Sequence, residues 1–314
     1  MAAAVAERVV LGTVPLRLAG ERERMAVLDE FLAGGGRWID TAPFYGDVER
    51  SVGRFLESCG ADASVATKAG HFADPRAYRS RAAVAEAIDR SVERLGRPPA
   101  VLSLHEADWA VWWAAARPGA VLAQGPLPGG VPPAWEALVD KCREHGSEPA
   151  VTGNNAGPLR AAAQRLGCTR LLVAKQYDLI WRSAEALLDW GAAAGVMVWC
   201  GSPFHQGALL DLPRLRAEFA ARGDDEAVRA ADALEHLLRA DHAATPSTAL
   251  AFVLSDERVE AVAVGLATRS EVRQALAAAR RPLDPGLLAG LRRLGIRRPP
   301  RPGVIREDHQ GGAS

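Results

Sequence analysis

The stretch WIDTAPFYGDVERSVG, residues 38–53, decides the architecture. A short run, Trp38–Asp40, reads as a β-strand. It ends on a carboxylate, passes through a loop that carries Tyr45, and gives way to a helical pattern from Val48 to Ser58. Two later segments have the same shape. VATKAG (65–70) places Lys68 at a strand end, and VLSLHEAD (101–108) places His105 there. Strand ends on one rim of a barrel converge, so Asp40, Tyr45, Lys68 and His105 are expected to meet although they span 65 positions.

Outward from these three segments the same alternation continues. Eight strand candidates are Val9–Val14, Trp38–Asp40, Ser64–Lys68, Val101–His105, Pro149–Gly153, Arg170–Val173, Val196–Gly201 and Val259–Gly265. Helical patterns follow them at Glu21–Ala33, Val48–Ser58, Arg81–Leu95, Trp135–Glu144, Pro158–Leu166, Ser183–Ala194, Ser247–Leu254 and Arg269–Ala279. Strands alternating with helices predict a parallel sheet wrapped by helices, and eight such units suggest a (β/α)8 TIM barrel. An open doubly wound sheet would want a GxGxxG turn after its first strand, and LGTVPLRLAG has the wrong spacing. The 314 residues suit one barrel domain over residues 1–296 with insertions. Residues 109–133, rich in Trp, Gly and Pro, form an insertion after the fourth strand, on the rim where insertions shape pockets. The Pro- and Arg-rich tail 297–314 reads as a mobile terminus.

Bulk properties narrow the partners. Hydrophobic residues make up 48% of the chain, enough for a large core, and 38 basic residues balance 38 acidic ones. A neutral chain has no broad attraction for nucleic acid or anionic membrane. Cys59, Cys142, Cys168 and Cys200 are scattered without metal-ligand spacing and read as reduced thiols. The N-terminus lacks a signal-peptide pattern and no apolar run is long enough to span a bilayer, so a soluble, cytoplasmic protein is expected.

Phenol, ammonium, carboxylate and imidazole together form a proton-delivery set. A free tyrosine, with a pKa near 10, is a poor donor at neutrality, and a nearby ammonium lowers that value. Lys68 would supply the cation, Asp40 would aim it, and His105 would hydrogen-bond the substrate oxygen as charge builds there. Taken singly each residue has a plainer reading. An Asp-Thr pair caps helices, a tyrosine packs, and a histidine after a strand is commonly a satisfied rim residue. A lysine beside an acid at a barrel rim also suits a Schiff-base aldolase. No His-x-His occurs, and His71, His205 and His242 lack metal-ligand spacing, so no metal is expected. His71 and His205 follow strand ends, where packing or exposure accounts for them.

DTAPFYGDVERSVGRFL (40–56), VATKAG and SVERLGRPPAVLSLHEAD (91–108) resemble the signature, lysine strand and histidine strand of the aldo-keto reductase family. Weaker likenesses follow in VTGNN, QYDLIWRSAE, GSPFHQGAL and VEAVAVGLATRSEVRQALAAA, so that the resemblance runs from about Val9 to Leu294. It implies an NAD(P)H-dependent oxidoreductase acting on an aldehyde or ketone, or in reverse on an alcohol or sugar lactol. Tyr45 would be the general acid, tuned by Lys68 and Asp40, with His105 orienting the carbonyl. Asn154 would hold the nicotinamide carboxamide. Ser202, Phe204, Gly207 and Leu209 would line the pyrophosphate path, with Thr268, Arg269 and Arg273 near the adenosine. Gly12, Thr13, Gln176 and Gly265 complete the expected cofactor contacts, and Phe44, Trp109 and Trp112 are the expected substrate pocket.

The chain departs from the family pattern at three places. A sixth-strand Gln is replaced by Ala174, with Gln176 two residues on. The aromatic residue that stacks on the nicotinamide is replaced by Gly201, with Trp199 two residues back. Both features resemble the D-threo-aldose 1-dehydrogenase, or sugar dehydrogenase, branch. At the 2′-phosphate position Glu271 stands between Arg269 and Arg273, and Ala275 replaces a frequent Asn. Arg269 tips the expectation toward NADP, with NAD open. The altered nicotinamide contacts also admit a catalytically weak, cofactor-binding regulatory barrel.

Overall fold

The computed structural model describes residues 7–123, 127–240 and 244–300. Its eight parallel strands are β1 Val9–Gly12, β2 Trp38–Asp40, β3 Ser64–Ala69, β4 Val101–Leu104, β5 Glu148–Gly153, β6 Arg170–Ala174, β7 Met197–Gly201 and β8 Ala261–Gly265. They pair in sequence order, and β8 pairs back with β1 to close the barrel. Among the described residues eleven α-helices surround it: α1 Glu21–Ala33, α2 Val48–Cys59, α3 Arg81–Leu95, α4 Pro133–His145, α5 Ala156–Leu166, α6 Glu185–Ala194, α7 Leu212–Ala221, α8 Asp225–Ala240, α9 Thr245–Leu254, α10 Arg269–Ala279 and α11 Pro285–Leu294.

Side chains alternate across a strand, and the alternation sorts the strand residues into two separate apolar clusters. Val9, Leu11, Ile39, Val65, Leu102, Val151, Leu171, Val198 and Val262 belong to the large layer between sheet and helices. Val10, Ala66, Val101, Ala150, Trp199 and Ala261 form the smaller cluster inside the barrel, with Trp38 and Leu172 against it. Trp199 meets Trp38 edge-on at 5.1 Å, and the Arg170 guanidinium covers both rings while Glu148 holds it at 2.8 Å. The interior is thus plugged at one end, and the inward parity continues upward into Asp40, Lys68 and His105. That parity puts the polar chemistry at the open, C-terminal mouth.

The helices begin and end where local chemistry dictates. Ser80 caps α3 by accepting from Ala83 N at 3.2 Å, and Asp284 caps α11 by accepting from Gly286 N at 2.7 Å. Within α2, Gly53 passes so close to the end of α3 that a Cβ would lie 2.6 Å from Leu95 O. Glu49 on the same helix is fully buried. It accepts from Thr67 Oγ1 (2.5 Å) and from Arg94 Nε (2.7 Å), tying α2 to β3 next to Lys68. Glu49 of the signature is therefore a structural strut.

Several boundaries differ from expectation. β1 stops at Gly12, because Val14–Leu18 turns into a 3-10 helix, and β8 starts at Ala261. Helices α7, α8 and α11 lie beyond one helix per strand. Their apolar positions (Leu212, Leu215, Phe219; Ala227, Ala231, Leu234, Leu238; Leu287, Leu291) repeat at helical spacing and bury one face. At the start of the Pro- and Arg-rich segment Arg297 pairs with Glu185 at 2.7 Å, and Arg298 with Asp224 at 2.5 Å and Glu226 at 2.9 Å. The tail expected to be mobile lies, for residues 301–314, outside the described residues. The four cysteines are unpaired, and no helix among the described residues is long and apolar enough to cross a membrane.

Candidate active site

The four residues singled out at strand ends do converge. Lys68 Nζ donates to both Asp40 oxygens at 2.7 Å and to Thr41 O at 2.8 Å. Its ammonium lies 5.3 Å from the centroid of the Tyr45 ring. That ring, at the end of a short 3-10 turn over Pro43–Tyr45, meets the His105 ring edge-on with centroids 6.2 Å apart. Thr13 steadies the arrangement, since its backbone N–H and hydroxyl both donate to Asp40 O at 3.0 Å.

Burial dominates the electrostatics. It works against the Lys68 charge, but attraction to Asp40 and Tyr45, together with hydrogen bonds to both, more than offsets it and holds the ammonium above the usual lysine range. Burial pushes the Asp40 carboxyl up while Lys68 pulls it down. For Tyr45, burial raises the phenol pKa more than the Lys68 charge lowers it, with Asp40 and Glu106 adding to the rise. Lys68 acts in the expected direction, yet the resting phenol is kept protonated. His105 is held well below the ordinary imidazole range by burial and by the neighbouring His71 and Lys68, so at neutrality it is an uncharged ring with one N–H to give.

These groups sit in a cleft of about 770 Å³. On its far side the inward positions of the strands shrink to Gly12, Ala174, Gly201, Ala263 and Gly265. The missing side chains open the floor for a flat ligand beside the tetrad. The cleft continues past Ser202, Phe204 and Gly207 to Pro246 and Ser247 in the first turn of α9, whose N-terminus has no side-chain cap. Free N–H groups at such an end suit a phosphate. One face of α10 (Glu271, Gln274, Ala275, Ala278) closes that end. An elongated, phosphate-bearing dinucleotide fits this shape and donor set.

Of the residues expected to touch cofactor or substrate, Gly12, Asn154, Ser202, Phe204, Gly207, Gly265 and Phe44 line the cleft. Others are engaged elsewhere. Gln176 is buried and accepts from Ser183 Oγ at 2.7 Å, and Trp199 belongs to the barrel plug, so neither replaces the missing Gln or aromatic ring. Leu209 is core, and Thr268 caps α10 by accepting from Glu271 N at 3.2 Å. Arg269 and Arg273 both pair with Glu30 at 2.8 Å, outside the cleft. In the insertion, Trp112 is fully buried and donates to His105 O at 3.0 Å, while Trp109 reaches the site only through its 5.1 Å contact with His71.

Among the cleft residues given no role from sequence are Glu106, Lys175, Arg17 and Gln206. Glu106 accepts from Asn154 Nδ2 at 2.6 Å and lies 3.2 Å from His71 Nε2. Lys175, at φ 64°, is depressed in pKa by burial. Arg17 lines the wall after β1, and Gln206 the loop after β7. Asp108 lies just behind the cleft, fully buried. It accepts from Asn154 N (2.9 Å) and Asn155 Nδ2 (2.8 Å), with its carboxyl pushed up to about 6 by burial. The signal for Glu106 and Asp108 was their place in LHEAD, immediately after a catalytic candidate.

The sequence profile described as the Aldo/keto reductase family matches residues 8–294. The fold is similar to that of the aldo-keto reductase AKR11C1 from Bacillus halodurans in its holo form, with a TM-score of 0.71 and 19% sequence identity over 96% of this chain and 94% of that one. Among curated proteins none matches.

Proposed function

The chain belongs to the aldo/keto reductase family and is a nicotinamide-dependent oxidoreductase, and from that premise we propose that it moves hydride between NADH and an aldehyde or ketone, with Tyr45 as the proton donor. The observation that carries this reading is the buried contact of Lys68 with Asp40 beside the Tyr45 phenol.

A bound nicotinamide supplies the hydride. Asn154, with Glu106 and Asp108 fixing its side chain and backbone, is the residue offered to the carboxamide. His105 gives its one N–H to the carbonyl oxygen and polarises it. Tyr45 stays protonated at rest and gives up its proton as that oxygen becomes an alkoxide. The phenolate left behind is stabilised by the Lys68 charge, which Asp40 keeps in place. In the reverse direction the same phenolate accepts the alcohol proton.

Preference for NADH over NADPH is supported at the α10 end of the cleft. The lean toward NADP rested on Arg269, but Arg269 and Arg273 are both paired with Glu30, and the ionisable group lining the cleft there is Glu271. A carboxylate accepts from a ribose 2′-hydroxyl and repels a 2′-phosphate. The Schiff-base alternative loses support because Lys68 is a charged and fully bonded ammonium, a poor nucleophile.

The test is turnover of a panel of aldehydes with either dinucleotide by wild type and Tyr45→Phe. The reading expects consumption of reduced cofactor by wild type, lost in the variant while dinucleotide binding persists. Full turnover by Tyr45→Phe would remove the mechanism.

A further inference from the structure

The loop that follows β7 walls the cleft on its way from the tetrad to α9, and its backbone holds a shape that residues rarely adopt. Ser202, Pro203, Phe204, Gln206 and Gly207 line the cleft. Ser202 sits at φ 60°, and His205, Gln206 and Gly207 follow one another at φ 48°, 55° and 88°. Residues other than glycine enter this left-handed region singly, so a run of them persists only where the surroundings over-determine it. His205 is the member of the run that turns away from the cleft. Its side chain is 1% exposed, and Nδ1 is bonded at 2.8 Å to Oδ2 of Asp178, which is fully buried.

Asp178 is a rigid anchor. Its Oδ1 accepts from the backbone N–H groups of Ile180 and Trp181 at 2.8 Å each, and its own N–H donates to Trp181 O at 3.0 Å. That turn is tied to the segment after α11, because Ile296 N donates to Ile180 O and Arg182 N donates to Ile296 O, both at 2.7 Å. The buried Trp181 ring lies 5.9 Å from that of His205. Packing alone does not account for an imidazole here. Nε2 is buried with no hydrogen-bond partner among the described residues, and an apolar side chain of similar size would fill the space without that cost. What the ring adds is the bond to Asp178.

A loop that holds its binding shape for only a fraction of the time binds its ligand more weakly by that fraction. We propose that His205 is a positioning residue for the nicotinamide dinucleotide: anchored on Asp178, it holds loop 202–207 in the shape that retains the cofactor along the cleft. The proposal rests on the reductase reading above and assigns the retention of its cofactor. Neither His205 nor Asp178 lines the cleft, so both act through the loop backbone.

The bond can be cut from either side. His205→Leu removes the ring. Asp178→Ser keeps an acceptor for Ile180 and Trp181 but cannot reach His205, and it leaves the loop's own sequence intact. His205→Asn retains an amide nitrogen near the place of Nδ1. Stopped-flow fluorescence reads the Kd and dissociation rate of NADH and NADPH in wild type, each variant and the Leu/Ser double variant, with urea midpoints as the check on folding. His205→Leu and Asp178→Ser should each raise Kd by about tenfold, the worth of one hydrogen bond, through faster dissociation. The double variant should be no worse than either, because both changes cut the same link. His205→Asn should stay within about threefold of wild type. In turnover, KM for the dinucleotide should rise more than KM for the aldehyde. Wild-type Kd in a folded single variant, effects that multiply in the double variant, or a loss in His205→Asn as large as in His205→Leu would overturn the proposal. Unfolding of both single variants would make the pair purely structural and overturn it too. Wild type binding neither dinucleotide would instead overturn the nicotinamide reading itself, and the proposal with it.

Discussion

Lys68 links Asp40 to Tyr45: its ammonium donates to both Asp40 oxygens at 2.7 Å and to Thr41 O at 2.8 Å, and lies 5.3 Å from the centroid of the Tyr45 ring. Its charge and its hydrogen bonding to the phenol both work to lower the Tyr45 pKa, against the larger effect of burial. Asp40 in turn is buried, and among the described residues its charge is paired with this lysine alone.

Breaking that pair should affect both stability and rate. Asp40→Asn leaves a buried ammonium without its partner, which costs on the order of 3–5 kcal/mol. Urea unfolding should show a lower midpoint with an unchanged slope. Lys68→Met should reduce kcat by about 10²-fold or more, because the phenolate loses its stabilising charge.

Removing the Tyr45 hydroxyl should separate chemistry from binding. Tyr45→Phe is expected to lower kcat by about 10²–10⁴-fold, the range for loss of a general acid. Dinucleotide affinity, read by quenching of tryptophan fluorescence, should stay within about twofold of wild type, a factor worth less than 1 kcal/mol.

The reductive rate should be nearly flat across neutral pH. Tyr45 is raised above the ordinary value of 10.0, so its proton is lost only in strong alkali, and His105 is depressed well below 6.5, so it stays neutral until the solution is acidic. A stopped-flow profile of the chemical step that instead fell steeply between pH 7 and 8.5 would contradict both assignments.

Asp108 gives stability a pH dependence of definite sign. Its carboxyl is raised from 3.8 to about 6, so the folded state binds the proton more tightly than the unfolded chain. The stabilisation is complete below pH 3.8 and is lost as pH rises through about 6. The full effect is about 2–3 kcal/mol. Asp108→Asn should flatten this component, so that wild type loses more stability than the variant between pH 4.5 and 7.5 in denaturant titrations.

Cofactor choice should respond to charge at α10. Glu271→Arg replaces a repelling carboxylate with a bidentate donor and is expected to improve NADPH affinity by about tenfold or more while weakening NADH. Glu30→Gln, which frees Arg269 and Arg273 from their shared partner, should move the NADPH/NADH ratio the same way by a smaller factor. Direct titration of each dinucleotide into both variants reads this out.

The sequence by itself determined the barrel and the tetrad. Eight apolar runs at regular intervals have one economical solution, and a period of two places Asp40, Lys68 and His105 on the inward face of their strands wherever the barrel closes. Helices α7, α8 and α11 were not read from the sequence, since they exceed the one helix per strand that the alternation leads one to expect, although their apolar positions repeat at helical spacing. What only the tertiary structure decided was where long or rotatable side chains go once distant segments meet. Arg269 and Arg273 turn to Glu30, about 240 positions away in the chain, and Gln176 turns to Ser183. Trp199 sinks into the barrel plug, and His71 and Glu106 are pressed together over His105. Strand parity is a local property of the backbone. The partner a charge or ring finds depends on which helices and loops pack beside it, and no stretch of residues encodes that alone.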